Sequence, residues 1–315
     1  MNPNPAYVTE VPVTSKLQFE TVTLTELLSK ELPARENVLM PWLPCQGLAM
    51  IHAPRGVGKT HIALGIAYAV ACGGQFLKWQ AAAPRNVLII DGEMPAVVLQ
   101  ERLASIVKSG ETEPQAKIEF ITPDFQPGCM PDLSREEDQA ELEDVIADKE
   151  LIIVDNISTL CRTGRENEAE GWLPVQEWAL RMRAAGKSVL FIHHSGKGGG
   201  QRGTSRREDI LDTVINLRHA KDYRHEDGAV FEVHFEKARG IYGDDVESFI
   251  AQLSTDEHGV QCWLTQSLEE STYKKVVVLE EEGFSQKDIA DELGKNKSTI
   301  SRHLKKAKKE GFING

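Results

Sequence analysis

Runs of hydrophobic residues alternate with amphipathic segments over the first two thirds of the chain. The apolar runs predict buried strands at 47–52, 86–91, 151–155 and 188–193, and more weakly at 117–122. Helical spacing predicts helices between them at 61–71, 96–108, 134–146 and 172–185. Buried strands separated by helices indicate βαβ units. We therefore expect an α/β fold whose parallel sheet carries helices on both faces.

The pattern changes after Arg207. Residues 213–218 and 229–236 predict a pair of antiparallel strands at one end of the sheet. The polar stretch 264–272 predicts a linker, and three short helices follow from Tyr273. Ile300, Leu304 and Ala307 fall on one face of the third helix. The C-terminal residues thus predict a small all-α domain.

Composition and charge exclude several classes of protein. The 315 residues include 36 basic and 48 acidic side chains, for a net charge of −12, so a uniform coat of nucleic acid is not expected. The five cysteines include no CxxC pair, which argues against a zinc site or disulfide framework. The N-terminus lacks the build of a signal peptide, and no apolar run approaches the length of about 20 residues that spans a bilayer. We expect a cytoplasmic protein without membrane contact.

A phosphate-binding loop lies between the first predicted strand and helix. The sequence Ala53-Pro-Arg-Gly-Val-Gly-Lys-Thr60 has the P-loop spacing, with Ala53 at the position of the usual first glycine. The loop glycines allow backbone N–H groups to turn toward phosphate oxygens. We expect ATP to contact Pro54, Arg55, Gly56, Val57, Gly58, Lys59, Thr60 and His61.

Acidic residues at two strand ends complete the predicted nucleotide site. Asp155 follows four apolar residues, so it is expected to bind Mg²⁺ together with Thr60. Asn156 stands where many ring ATPases carry their catalytic glutamate. The base that orients the attacking water must then come from another strand. Glu93 is the preferred candidate, and Asp91 is the alternative.

These motifs, in this order, resemble the RecA-like ATPase core rather than the AAA+ core. The apolar run that ends in His193-His194, followed by a loop with glycine and lysine, is similar to that of RepA-type plasmid replicative helicases, relatives of DnaB. The resemblance covers about residues 40–245. It implies that Glu93 is catalytic, that His194 senses the γ-phosphate, and that Lys237 and Arg239 reach a neighbouring subunit's nucleotide. It therefore implies a homo-oligomer, expected to be a hexameric ring.

Two basic segments are candidates for binding DNA. In RecA-like rings the loop after the sensor strand lines the channel, which here suggests single-stranded DNA contacts by Lys197, Arg202, Arg206 and Arg207. The segment 156–171 is a secondary candidate. The C-terminal helices closely resemble the winged or MarR/Crp-like helix-turn-helix of transcription regulators. The outward residues expected to contact duplex DNA are Lys297, Thr299, Ser301, Arg302 and Lys305.

The predicted organisation has four parts. Residues 1–40 form an N-terminal segment whose helix could pack against another subunit, 41–263 the ATPase domain, 264–272 a linker, and 273–315 the helix-turn-helix domain. Two functions fit these sites. The first is a ring-forming helicase or single-strand translocase in replication of a plasmid or mobile element, and the second is a regulator or loader that uses ATP as an assembly switch. A recombinase filament is a weaker third alternative.

Overall fold

The computed structural model describes residues 20–32, 34–110, 112–162, 169–195, 208–220, 223–224, 226 and 228–313. The chain divides into two compact units, residues 1–35 and 36–315. In the first unit, helix α1 spans Leu24–Ser29 and begins with a capping box, in which the side chains of Thr23 and Glu26 each accept a hydrogen bond from the other's backbone N–H group. This helix buries no residue.

The second unit is built on a nine-stranded sheet. Its strands are β3 (Leu48–Ala53), β6 (Val87–Asp91), β7 (Ile118–Ile121), β8 (Leu151–Asp155), β9 (Ser188–His194), β10 (Thr213–Arg218), β11 (Val230–Ala238), β12 (Phe249–Thr255) and β13 (Gln261–Ser267). Two further short pairs are β1 (Asn37–Leu39) with β2 (Leu43–Pro44), and β4 (Gln75–Phe76) with β5 (Trp79–Gln80).

The sheet is parallel over most of its width. The strand order is β13-β12-β11-β10-β3-β9-β8-β6-β7, and the six strands from β10 to β7 are parallel. Strands β11, β12 and β13 add antiparallel pairs beyond β10. The predicted parallel sheet with antiparallel strands at one end is therefore confirmed.

Helices cover both faces of this sheet. They are α2 (Lys59–Cys72), α3 (Ala96–Ser109), α4 (Glu136–Glu141), α5 (Glu143–Ile146), α6 (Ile157–Leu160) and α7 (Leu173–Ala184). Alternate side chains of β3 enter different cores, as expected of a strand buried on both faces. Ala49 and Ile51 pack in the core that includes α2, whereas Leu48 and Met50 pack in the one that includes Trp178 of α7.

The C-terminal residues form the predicted three-helix unit. It consists of α8 (Leu268–Glu281), α9 (Gln286–Leu293) and α10 (Lys297–Glu310). Ile300, Leu304 and Ala307 of α10 are buried in its separate core, as predicted. The turn between α9 and α10 begins at Gly294, whose φ of 61° is left-handed. Helix α10 starts at Lys297, and Asn296 takes the N-cap position.

Two other predicted elements differ from the structure. Residues 264–272 are the end of β13 and the start of α8 rather than a linker. The polar character of residues 264–267 is consistent with β13 being an edge strand with several exposed side chains. The predicted helix 134–146 is divided into α4 and α5 and begins later than expected, because Ser134 donates its hydroxyl to Asp132 Oδ1 over 2.6 Å and does not cap the helix.

None of the five cysteines, which all lie within the described residues, forms a disulfide bond. Among the described residues, no helix combines the length and the apolar character needed to cross a membrane.

Candidate functional site: a nucleotide crevice and a DNA-binding region

The P-loop connects the end of β3 to the start of α2. Gly56 and Gly58 have φ values of 82° and 118°, a left-handed region that strains any residue with a Cβ. A Cβ at Gly58 would also lie 3.1 Å from Cε1 of Phe231 in β11. The loop is therefore restricted to glycine at Gly58 by both conformation and contact. Because α2 begins at Lys59, its free N–H groups and helix dipole suit an anion.

Lys59 is buried beneath the loop. Its Nζ donates hydrogen bonds to the carbonyl oxygens of Ala53, at 3.0 Å, and Pro54, at 2.8 Å. Burial lowers the pKa of its ammonium group to about 8, against the opposing effect of Asp155 and Glu93. A phosphate near Nζ would further favour the charged form and would compete with the two carbonyls.

Asp155 lies at the carboxyl end of β8 and is buried. Burial is the main cause that raises the pKa of its carboxyl group to about 7, and the nearby charge of Asp91 adds to it. A hydrogen bond from the side chain of Thr60 opposes the rise. A carboxylate and a hydroxyl are the hard oxygen donors that Mg²⁺ prefers. The pair therefore fits the cation that the sequence predicts, and a bound cation would favour ionised Asp155.

Asp91 and Glu93 follow β6 but have different surroundings. Asp91 is 2% exposed, and its Oδ1 accepts hydrogen bonds from the backbone N–H groups of Glu93 at 2.9 Å and Met94 at 3.0 Å. The side chain of Glu93 is 47% exposed. Gly92 permits this turn, since a Cβ there would lie 2.4 Å from Thr159 Oγ1. Asp91 thus holds the turn, whereas Glu93 is free to meet a ligand.

His194 ends β9 beside Glu93 and Asn156. Its Nε2 lies 3.7 Å from Glu93 Oε1 and 3.3 Å from Asn156 Nδ2. The Oδ1 of Asn156 accepts from the backbone of Ser158, so its amide group is oriented to donate to the imidazole. Burial, and then the charge of Lys59, lower the pKa of His194. The structure therefore places a neutral histidine beside the candidate base.

The other predicted nucleotide contacts lie in the loop itself and at the start of α2. Pro54 is half-buried, Arg55 and Gly56 are exposed, and Val57 is buried. His61 lies on α2, where burial and the charge of Arg102 lower its pKa to about 4. It is therefore uncharged at neutral pH.

Lys237 and Arg239 lie at the opposite end of the sheet from their own P-loop. Strand pairing aligns Ala238 with Thr213, and Thr213 with Ala49 near the start of β3. Lys237 Nζ contacts the carbonyl oxygens of Glu208 and Asp209, and Arg239 donates to the carbonyl of Asp209 over 2.8 Å. Both cations therefore point to the same turn, formed by Glu208 and Asp209.

The single-strand candidates Lys197, Arg202, Arg206 and Arg207 lie outside the described residues, as does Arg165. In the secondary segment, Arg162 donates to the carbonyl oxygens of Met130 at 2.6 Å and Thr159 at 3.3 Å. It thus supports a turn in the isolated chain.

The candidate duplex-binding residues are distributed along α10. Lys297, Arg302 and Lys305 are exposed, while Thr299 and Ser301 are half-buried. Arg302 pairs with Glu269 of α8 over 3.0 Å. Lys309 is also exposed and continues the stripe of Arg302 and Lys305 at helical spacing.

One buried group near the nucleotide crevice is not revealed by the sequence pattern. His52, in β3, is fully buried between Ser195 and Glu236, at 2.8 Å from each. The two partners are 143 and 184 residues away along the chain, so local patterning contains no signal for them.

Two family models match the chain. Residues 13–200 match the model described as "AAA domain", which is more than half of the sequence. The chain therefore belongs to this family of P-loop ATPases, which is RecA-like and helicase-related. Residues 270–310 match the model described as "Sigma-70, region 4", a helix-turn-helix region. No curated protein matches the chain.

The two matches define the class of protein. A P-loop ATPase domain is joined to a helix-turn-helix region typical of DNA binding, so the chain is a DNA-associated ATPase. The P-loop ATPase domain implies nucleotide binding, and Mg²⁺ is the usual companion of such sites.

Proposed function

We propose that this chain is an ATP-hydrolysing, ring-forming DNA helicase or single-strand DNA translocase that acts in replication of a plasmid or mobile element. In this proposal, Lys59 and the loop amides bind the phosphates of ATP, and Thr60 and Asp155 hold Mg²⁺. The cation would neutralise charge on the phosphates. Glu93 accepts the proton of the attacking water, and His194 contacts the γ-phosphate.

The position of Lys237 and Arg239 is the observation that supports the proposed ring of subunits. The end of β11 that carries these cations is aligned, through Thr213 of β10, with Ala49 of β3. Ala49 precedes Ala53 of the P-loop by four positions, or about 13 Å along the strand. The two cations contact carbonyl groups there and not their own P-loop. A role for them in hydrolysis therefore requires a second subunit. A cation supplied in trans offsets charge that develops on the transferred phosphoryl group.

DNA would meet the ring at two places. We propose that single-stranded DNA binds Lys197, Arg202, Arg206 and Arg207, a glycine-rich basic segment that suits a backbone-tracking channel. We also propose that α10 contacts duplex DNA through Lys297, Thr299, Ser301, Arg302 and Lys305. The exposed pair of Arg302 with Glu269 is weak enough to exchange for a phosphate.

A forked duplex tests the proposal. The wild-type protein with Mg²⁺ and ATP is expected to separate the strands, and Lys59→Ala is expected to separate none because it cannot bind the nucleotide productively. ATP hydrolysis without strand separation or translocation would contradict the proposal. That outcome would favour the alternative function, a DNA-binding regulator or loader, for which the helix-turn-helix region is the supporting observation.

A further inference from the structure

A continuous path of hydrogen bonds begins directly beneath the P-loop. The carbonyl oxygen of Ala53 accepts two of them: one from Nζ of Lys59, at 3.0 Å, and one from the backbone N–H of Ser195, at 2.9 Å. Ser195 directly follows His194 at the end of β9. One carbonyl group therefore joins the phosphate-binding lysine to the end of the strand that carries the candidate sensor.

The path continues through His52. The hydroxyl of Ser195 lies 2.8 Å from His52 Nδ1, and His52 Nε2 lies 2.8 Å from Glu236 Oε2. Ser195 and His52 are 6% and 0% exposed. Burial lowers the pKa of His52, which favours a neutral ring with one N–H group. Because a carboxylate can only accept, Nε2–H donates to Glu236, and Nδ1 accepts from Ser195.

Glu236 fixes the far end of the path. Its Oε1 accepts hydrogen bonds from Asn216 Nδ2 at 2.6 Å and from Arg218 at 2.9 Å. Hydrogen bonds lower the pKa of its carboxyl group against the effect of burial, so it is charged at neutral pH. Glu236 directly precedes Lys237 in β11. The path thus runs from the P-loop lysine of one subunit to the strand that holds the cations proposed to serve its neighbour.

We propose that His52 is a positioning residue that transmits occupancy of a subunit's own nucleotide site to the segment 236–239 of β11. The inference rests on the proposed function, because it assigns a regulatory role to the same site. When a phosphate binds the ammonium group of Lys59, the Ala53 carbonyl loses its hydrogen bond from Lys59 and keeps only the one from the Ser195 amide. A shift of Ser195 would move Glu236 as well, because the imidazole of His52 accepts from the Ser195 hydroxyl at Nδ1 and donates to Glu236 from Nε2. Nucleotide binding in one subunit thereby changes the position of Lys237 and Arg239, the cations proposed to contact the nucleotide of the next subunit.

Hydrogen exchange on the full chain tests this coupling without relying on turnover. Exchange is followed in peptides from 48–64 and 230–240, with and without Mg²⁺ and a non-hydrolysable ATP analogue. In wild-type protein, the analogue is expected to slow exchange in both peptides, by about 5-fold or more in the second, the lower range of coupling between sites. In Ser195→Ala and His52→Gln, protection of 48–64 should remain, while the response of 230–240 should be lost.

Thr213→Val is the matched control. It removes one buried hydroxyl hydrogen bond in the neighbouring strand β10, from Thr213 to the carbonyl of Trp42 at 2.8 Å, without interrupting the path. This variant should keep the response in both peptides. A merely structural role for Ser195 predicts instead that all three variants behave alike.

The possible failures have different meanings. If the analogue protects neither peptide of the wild type, the proposed nucleotide function is wrong and this inference falls with it. If it protects 48–64 but not 230–240, the inference is overturned, while nucleotide binding by the P-loop stands. A full response of 230–240 in folded Ser195→Ala also overturns it, whether or not His52→Gln folds.

Discussion

Glu93 Oε1 lies 3.7 Å from Nε2 of His194, across the carboxyl ends of strands that are separated by β8. The distance is too long for a direct hydrogen bond. Asn156 donates to the same imidazole nitrogen, and Asp91 holds the turn that presents Glu93. The candidate base Glu93 is positioned by Asp91, and the candidate sensor His194 is positioned by Asn156. Their roles can therefore be tested separately.

Glu93→Gln should retain nucleotide binding and lose turnover. The amide fills the same space but cannot accept the proton of the attacking water, and such groups contribute about 10²–10⁴-fold to a rate. Nucleotide affinity, measured by calorimetry, and steady-state ATPase rate should therefore separate in this variant.

Asp91→Asn is the matched control for Glu93→Gln. Asp91→Asn keeps an Oδ1 that can accept hydrogen bonds from the same two backbone N–H groups, so this variant should retain the turn, nucleotide binding and turnover. If Asp91→Asn abolishes turnover at unchanged stability while Glu93→Gln remains active, Asp91 is the base.

Asp155 predicts a pH dependence of stability in the absence of metal and nucleotide. Its pKa is raised from 3.8 to about 7, so the folded state holds a proton that the unfolded chain releases. That contribution to stability is lost as the pH rises through about 7. The melting temperature should fall between pH 6 and pH 8, and Mg²⁺ should recover part of the loss at pH 8.

Asp155→Asn provides the control for this titration. The amide cannot ionise, so its melting temperature should change less over the same range, and Mg²⁺ should have little effect. The pKa of Lys59 is lowered to about 8, so its titration makes stability rise with pH above about 8. The melting temperatures are therefore compared only up to pH 8. Equal pH profiles for wild type and variant would rule out Asp155 as the titrating group.

Arg239→Ala should leave ATP binding intact and remove hydrolysis, by a factor of about 10³–10⁵ if the cation acts as a full arginine finger. Mixing supplies the decisive comparison. Subunits with Arg239→Ala and subunits with Lys59→Ala should regain activity together, because each can contribute the half of a shared site that the other lacks. Co-assembled mixtures that stay inactive would count against a site between subunits.

Deleting residues 268–315 should separate two kinds of DNA binding. The cut follows β13, so the nine-stranded sheet keeps its edge strand. Duplex affinity should fall, and its dependence on salt should flatten as the cations of α10 are lost. Stimulation of the ATPase by single-stranded DNA should survive, since Lys197, Arg202, Arg206 and Arg207 remain.

The converse variant replaces those four basic residues with Ala. It should lose single-strand stimulation and still bind duplex DNA, measured by fluorescence anisotropy against salt concentration. The reverse pattern in the two variants would make the C-terminal helices the sole DNA-binding element.

The sequence predicted the P-loop and the buried strands because both depend on local order. Asp155, for example, follows a continuous apolar run and lies at the strand end expected of it. The edge strands β12 and β13 were missed because their exposed positions weaken the apolar pattern. The predicted start of helix 134–146 was wrong because Asp132, two residues before Ser134, accepts the Ser134 hydroxyl, and α4 begins only at Glu136. His52 was missed because its partners are brought to it only by the sheet order.

The ATPase rate with and without single-stranded DNA, measured beside the native mass, tests the central claim most directly. The proposed function predicts that the strand accelerates hydrolysis and that the active species is an oligomer whose mass fits a closed ring. The same oligomer with Arg239→Ala should show no acceleration. A monomer whose ATPase rate is unchanged by single-stranded DNA would contradict the account.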